Sequence, residues 1–127
     1  MIDHDALLDA AAAVAANSHS PYSNYKVGSA ILCASGKVYS GTNVENSSYG
    51  LTICAERAAA CHMVAEGDDS IVAVAVWVDA TELASPCGAC RQFLSDLAGD
   101  DTVVILGCST GARAEFSLAE LLPHPFS

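Results

Sequence analysis

The run Ile71 to Val78, IVAVAVWV, restricts the fold more than any other stretch, because its eight residues include no polar position. A strand with one face in water alternates apolar and polar residues, whereas a strand this continuous is covered on both faces. Thr102 to Leu106, TVVIL, repeats the pattern. Two such strands require helices on both sides of a sheet, and the chain supplies them. Ala and Leu positions from Asp5 to Ala16 suit a helix ended by NSHSP, where Pro21 forbids continuation. Ile53 to Glu66 forms a second, stopped by Gly67 and the acids after it, and Cys87 to Ala98 a third, closed by Gly99. Ser117 to Leu122 is a short last helix before Pro123. Val27 to Cys33 and Lys37 to Val44 read as two strands of a hairpin turning at Ala34-Ser35-Gly36, and Ala112 to Phe116 as an edge strand. A hairpin followed by alternating units predicts an α/β fold, a mixed sheet with helices on its faces.

The length of 127 residues suits one domain, residues 1–127. No apolar run reaches the length a bilayer needs, so no membrane partner is expected. The start, MIDHDALLDAAAAVAANSHS, carries acids where a secretory signal carries Lys or Arg, which points to the cytoplasm. Fifteen acids against five bases give a net charge of −10, which repels phosphate backbones and argues against a nucleic acid polymer as partner. In a reducing compartment, six cysteines are core thiols or metal ligands, not disulfides. Cys33, Cys61 and Cys108 lie in or beside apolar stretches and are expected to be buried small side chains. His4, His19, His62 and His124 follow no ligand pattern.

The remaining cysteines carry chemistry. In SPCGACRQ, Pro86 breaks the preceding chain and Cys87 and Cys90 share one face at the start of a helix, where free N–H groups favour thiolates. Alone, the pair reads equally as a redox couple or as half of a structural zinc site. Cys54, in TICAER, opens another helix two residues before Glu56. If the two helix starts meet at one sheet end, three thiolates hold Zn²⁺ and leave its fourth tetrahedral position to water, as in a catalytic centre. Glu56 then stands beside the metal as a proton shuttle. Arg57 is placed to draw charge off the sulfurs, and Arg91 either assists or makes a surface ion pair.

PYSNYKVGSA, GTNVENSSYGLTICAER, SPCGACRQFL and LAELLPHPF, in that order, resemble the small, homotetrameric cytidine deaminases over nearly the whole chain. The resemblance implies a three-layer α/β/α sandwich around a five-stranded mixed sheet. It also implies a zinc ion on Cys54, Cys87 and Cys90, Glu56 as shuttle, and hydrolysis of cytidine and 2′-deoxycytidine, a small-molecule nucleoside substrate, with release of ammonia. It assigns Asn43 and Glu45 to the ribose 3′-hydroxyl, Ala55 and Glu56 to the base edge, and Tyr49 and Phe126 to pocket closure from neighbouring subunits. An amide and a carboxylate at alternate positions point the same way and accept hydroxyl protons. Tyr25 stands where many members carry Phe, keeping a ring face for the pyrimidine and adding a hydroxyl. Within the same chemistry, a blasticidin-type aminopyrimidine nucleoside is the alternative substrate. Outside it stand a zinc-stabilised binding module and a redox protein.

Overall fold

The computed structural model describes residues 2–127. Its elements run α1 His4–Ala15, β1 Val27–Cys33, β2 Val38–Thr42, α2 Ala55–Ala65, β3 Ile71–Val78, α3 Gly88–Ser95, β4 Ala98–Cys108, β5 Arg113–Ser117 and α4 Leu118–Leu121. The five strands form one sheet in the order β2-β1-β3-β4-β5. β1 pairs antiparallel with both β2 and β3, β3 runs parallel to β4, and β5 returns antiparallel. This is the expected mixed sheet.

Side-chain alternation sorts the three central strands into two layers. Ala30, Leu32, Ala73, Ala75 and Ile105 face Leu7 and Ala11 of α1. Their neighbours Ile31, Cys33, Val74, Val76, Val104 and Leu106 pack with Ala59, Ala60 and Met63 of α2, Leu94 of α3 and Leu118 of α4. Strands buried on both faces account for the unbroken apolar runs. The α1 layer uses alanines so that the helix lies close. Gly28 takes this furthest, since an added Cβ would collide with the Ala11 carbonyl oxygen and lie 2.9 Å from the Ala15 nitrogen.

Three expectations are corrected. The third helix ends at Ser95, and the chain from Ala98 is already strand, pairing with Ile71. The register shift between Ile71 and Ala73 is held by Thr102, whose hydroxyl donates to the Ile71 carbonyl at 2.9 Å and accepts from the Gly99 N–H at 3.0 Å. Cys61 is exposed on the outer face of α2, while Cys33 and Cys108 are buried as expected. A 3₁₀ turn, Tyr49–Leu51, interrupts the segment before α2. Among the described residues, no helix is long and apolar enough to cross a membrane.

Candidate active site

The site forms where α2 and α3 begin, at the sheet end that holds Val27 and Val78 in register. Cys54 and Cys87 are the N-cap residues of α2 and α3, both in extended backbone conformation, and neither side chain caps its helix. Their sulfurs are therefore free to point outward. Cys90 sits one turn into α3, fully buried. The segment before Cys54 is fixed by a three-way junction. Val44 and Ile53 exchange two backbone hydrogen bonds of 2.9 Å, the Asn43 carbonyl accepts from the His19 N–H at 3.2 Å, and the Glu45 N–H donates to the His19 carbonyl at 2.8 Å. These bonds bring residues 43–45 beside the first ligand.

The three sulfurs of Cys54, Cys87 and Cys90 lie within 4.8 Å of one another, with Cys54 and Cys87 3.8 Å apart. That spacing is nearly twice a disulfide length of about 2.05 Å. It matches the edge of a tetrahedron with metal–sulfur bonds of about 2.3 Å, which is about 3.8 Å. The donor set therefore fits zinc, and soft thiolates select zinc over hard cations. Hydrogen bonding from Cys90, opposed by burial and aided by the Arg57 guanidinium and Cys87, holds the Cys54 thiol down at about 5. The same Cys54 contact, with burial, pushes the Cys90 thiol up.

Arg57 donates through Nη2 to the Cys54 sulfur at 3.7 Å and to the Thr52 carbonyl at 3.5 Å. Three thiolates would exceed the charge of a divalent metal by one, and the Arg57 guanidinium is close enough to offset that excess. Glu56 is only 4 % exposed, and burial first, then the Cys54 charge, raises its carboxyl above the usual range. A carboxyl with a raised pKa beside a metal site is suited to hold a proton and give it back.

Glu56 opens onto a cavity of ≈210 Å³ lined also by Tyr25, Asn43, Thr52, Cys54, Ala55 and Cys87. Val27, Val76, Ala84 and Ser85 complete its wall. Thr52 joins it to a second, ≈430 Å³ cavity lined by Tyr22, Ser23, Glu45 and Tyr49. Asn43 and Glu45 therefore stand on two adjoining cavities. The Asn43 side-chain oxygen Oδ1 already accepts from the Ser18 hydroxyl at 2.5 Å and from the Val27 N–H at 3.1 Å, and its Nδ2 donates to the Tyr25 carbonyl at 2.7 Å. This leaves one side-chain N–H of Asn43 without a partner among the described residues, so the acceptor role expected from its amide is already taken up within the protein. Glu45 accepts from the Tyr22 N–H at 3.0 Å, the Ser23 N–H at 3.2 Å and the Ser23 hydroxyl, which together lower its carboxyl.

Tyr49 is 75 % exposed, edge-on to Tyr22 with ring centroids 6.0 Å apart, and Phe126 is 83 % exposed. The Phe126 ring lines neither cavity. Its backbone is clamped by Gln92, which donates to the Phe126 carbonyl at 2.8 Å and accepts from its N–H at 3.0 Å. Arg91 neither reaches the sulfurs nor forms an ion pair among the described residues. Its three guanidinium nitrogens go to the Pro86 carbonyl, the Leu121 carbonyl and the Ser85 hydroxyl. Tyr22, Ser23, Thr52 and Ser85 line the cavities without having been singled out from the sequence, although all four lie inside the motifs quoted above.

Three thiolates and a buried carboxylate gathered at two helix starts beside an open cavity define the site of a zinc-dependent hydrolytic enzyme. The sequence model described as the cytidine and deoxycytidylate deaminase zinc-binding region matches residues 1–106. A cytidine deaminase of Halalkalibacterium halodurans is 42% identical over 99% of this chain and 96% of its own length. One from Sporosarcina psychrophila is 43% identical over 84% and 79%. The crystal structure of cytidine deaminase from Burkholderia pseudomallei superposes with a TM-score of 0.93 at 41% identity, covering 98% of this chain and 100% of that one. The chain belongs to the cytidine and deoxycytidylate deaminase family.

Proposed function

We propose that the protein hydrolyses cytidine and 2′-deoxycytidine to uridine and 2′-deoxyuridine, releasing ammonia. The observation that carries this reading is the Cys54, Cys87 and Cys90 sulfur cluster with Glu56 buried beside it on the same cavity. Cys54, Cys87 and Cys90 would hold zinc, which would lower the pKa of a water enough to make it a nucleophile at neutral pH. Glu56 takes a proton from that water and passes it to N3 of the cytosine ring as C4 is attacked. It then takes the remaining proton from the oxygen now bonded to C4 and delivers it to the amino group, so that the C4–N bond breaks, ammonia leaves and a C4 carbonyl forms. Such alternation between base and acid needs one carboxylate, not two. Ala55 and Glu56 meet the base edge, Tyr25 offers its ring face, and Arg57 holds Cys54 in place. The spare Asn43 N–H and the Glu45 carboxylate receive the sugar.

The relatives are named cytidine deaminases, which favours an ordinary cytosine nucleoside over a blasticidin-type substrate. Tyr49 and Phe126 stand out from the surface with Leu51 (65 % exposed) and Tyr22 near the cavities or the C-terminal tail. This supports a homotetramer in which neighbouring copies cover these side chains and close the pocket. We take the activity to belong to pyrimidine salvage in the cytoplasm, a reading supported by the cytosine nucleoside substrate class of the named relatives. Turnover measured side by side on cytidine, deoxycytidine, free cytosine and blasticidin S tests the reading: both nucleosides are converted, the free base and the antibiotic barely. Preferred conversion of blasticidin S, or no ammonia from any of the four, overturns it.

A further inference from the structure

The three sulfurs are not held equally. Cys90 is buried within α3 and packed on the core side, and Cys54 is tied down by the junction at Val44 and Ile53 and by Arg57. Cys87 is exposed, lies outside the first turn of α3, and receives no side-chain hydrogen bond other than from a sulfur. The peptide groups on either side of Cys87 are both held by Arg91. The Arg91 N–H donates to the Cys87 carbonyl at 3.0 Å, closing the first helical turn. Its side chain runs back toward the helix start, as helical side chains do, and Nε donates at 2.8 Å to the Pro86 carbonyl, the oxygen of the peptide that enters Cys87. Nη2 adds the Ser85 hydroxyl at 2.9 Å, on the wall of the Glu56 cavity. Nη1 donates at 2.8 Å to the Leu121 carbonyl, an acceptor that the end of the four-residue α4 leaves without a helical partner.

We infer that Arg91 is a positioning residue for the metal site: its planar fork anchors the Ser85–Pro86 loop to α4 and thereby fixes the Cys87 sulfur at ligand distance from the other two. The inference rests on the zinc reading above and extends it to a residue that touches neither metal nor substrate. A fork with three acceptors in three directions is a geometric device, and lysine, a point charge on a flexible stem, cannot reproduce it. The positive charge itself is secondary, because none of the three acceptors is a carboxylate.

The test measures zinc release to a chromophoric chelator, and the sulfur-to-metal absorption of the cobalt-substituted protein, in wild type, Arg91→Ala, Arg91→Lys and Gln92→Ala. Loss of an orienting group around a metal ligand weakens binding about 10–100-fold. Arg91→Ala and Arg91→Lys are expected to release zinc faster by that factor and to lose part of the sulfur-to-cobalt band. Gln92→Ala, which unpins the C-terminal tail from the same helix without touching Pro86, is expected to release zinc at the wild-type rate. Wild-type release from Arg91→Lys, with a full cobalt band, overturns the inference even if Arg91→Ala does not fold. Equal acceleration in Gln92→Ala also overturns it, since tail docking would then be the cause. If wild type itself carries no zinc, the parent reading fails instead, so the two failures are separable.

Discussion

Replacing Glu56 by Gln exchanges one carboxylate oxygen for an amide nitrogen in a side chain that is 4 % exposed, so shape and packing are conserved. The charge is what changes. In the protein that charge is opposed by burial and by the Cys54 thiolate, and these together raise the carboxyl. The Arg57 charge favours the ionised carboxyl only as the smallest of these influences, and its guanidinium bonds to the Cys54 sulfur and the Thr52 carbonyl, not to Glu56. The variant therefore loses no ion pair, and its melting temperature is expected to equal or exceed that of wild type. Catalysis behaves oppositely. A carboxamide can neither take the proton from water nor return it to N3 or to the amino group. Proton transfer by a positioned group is worth about 10²–10⁴ in rate, equivalent to about 2.7–5.5 kcal/mol in the barrier. Both transfers use this carboxyl, but only the slower one shows in turnover, so kcat is expected to fall by about 10²–10⁴. The assay follows the absorbance change from cytidine to uridine, with zinc content and melting curves on the same sample. Turnover within about tenfold of wild type at full zinc would refute the shuttle. A clear drop in melting temperature would refute the electrostatic argument instead.

Other consequences are as specific. Cys87→Ala leaves two sulfurs at the site and should retain well under one zinc per chain after desalting, and stoichiometric zinc by metal analysis would count against ligation. Gly28→Ala drives a methyl into the Ala11 carbonyl and forces α1 off the sheet; a cost of about 1–3 kcal/mol and a melting temperature lower by roughly 5–15 °C should follow, and an unchanged melting curve would contradict the packing. The Tyr39 hydroxyl donates to Asp68 at 2.6 Å, and that bond, with burial and the Asp68 charge, pushes it from 10.0 up to about 12. A group whose proton is held more tightly when folded stabilises fully below its unfolded value and loses that contribution as pH rises through the folded one. Wild type should thus lose stability relative to Tyr39→Phe between pH 10.0 and about 12, and parallel denaturation profiles in that window would show that the bond carries no linkage.

The architecture was legible wherever a residue pattern had one physical solution. IVAVAVWV could only be a doubly covered strand, and it is the strand at the centre of the sheet. Cys54 and Cys87 were readable because Pro86 and the turn-rich stretch before Ile53 mark helix starts, and a thiol at a helix start has few structural uses. Where composition was uniform the reading failed. AAACHMV gives a helix with no marked face, so Cys61 could not be assigned outward from sequence, although Ala59, Ala60 and Met63 turn inward. LAGDDT looks like a turn, and only the Thr102 bonds to Ile71 and Gly99 show why it is strand. Arg91 was the hardest case, because two of its partners are backbone carbonyls and any residue carries those. Likewise, nothing in NVEN shows that the Asn43 oxygen is taken up by Ser18 and Val27.

X-ray absorption at the zinc edge of the purified protein tests the central arrangement most directly. Three sulfur scatterers at about 2.3 Å with one lighter atom at about 2.0–2.2 Å are the expected result, and adding a substrate analogue should perturb only the lighter shell. Four sulfurs, two sulfurs, or no bound metal at all would contradict a site built from Cys54, Cys87 and Cys90 with one corner left for chemistry.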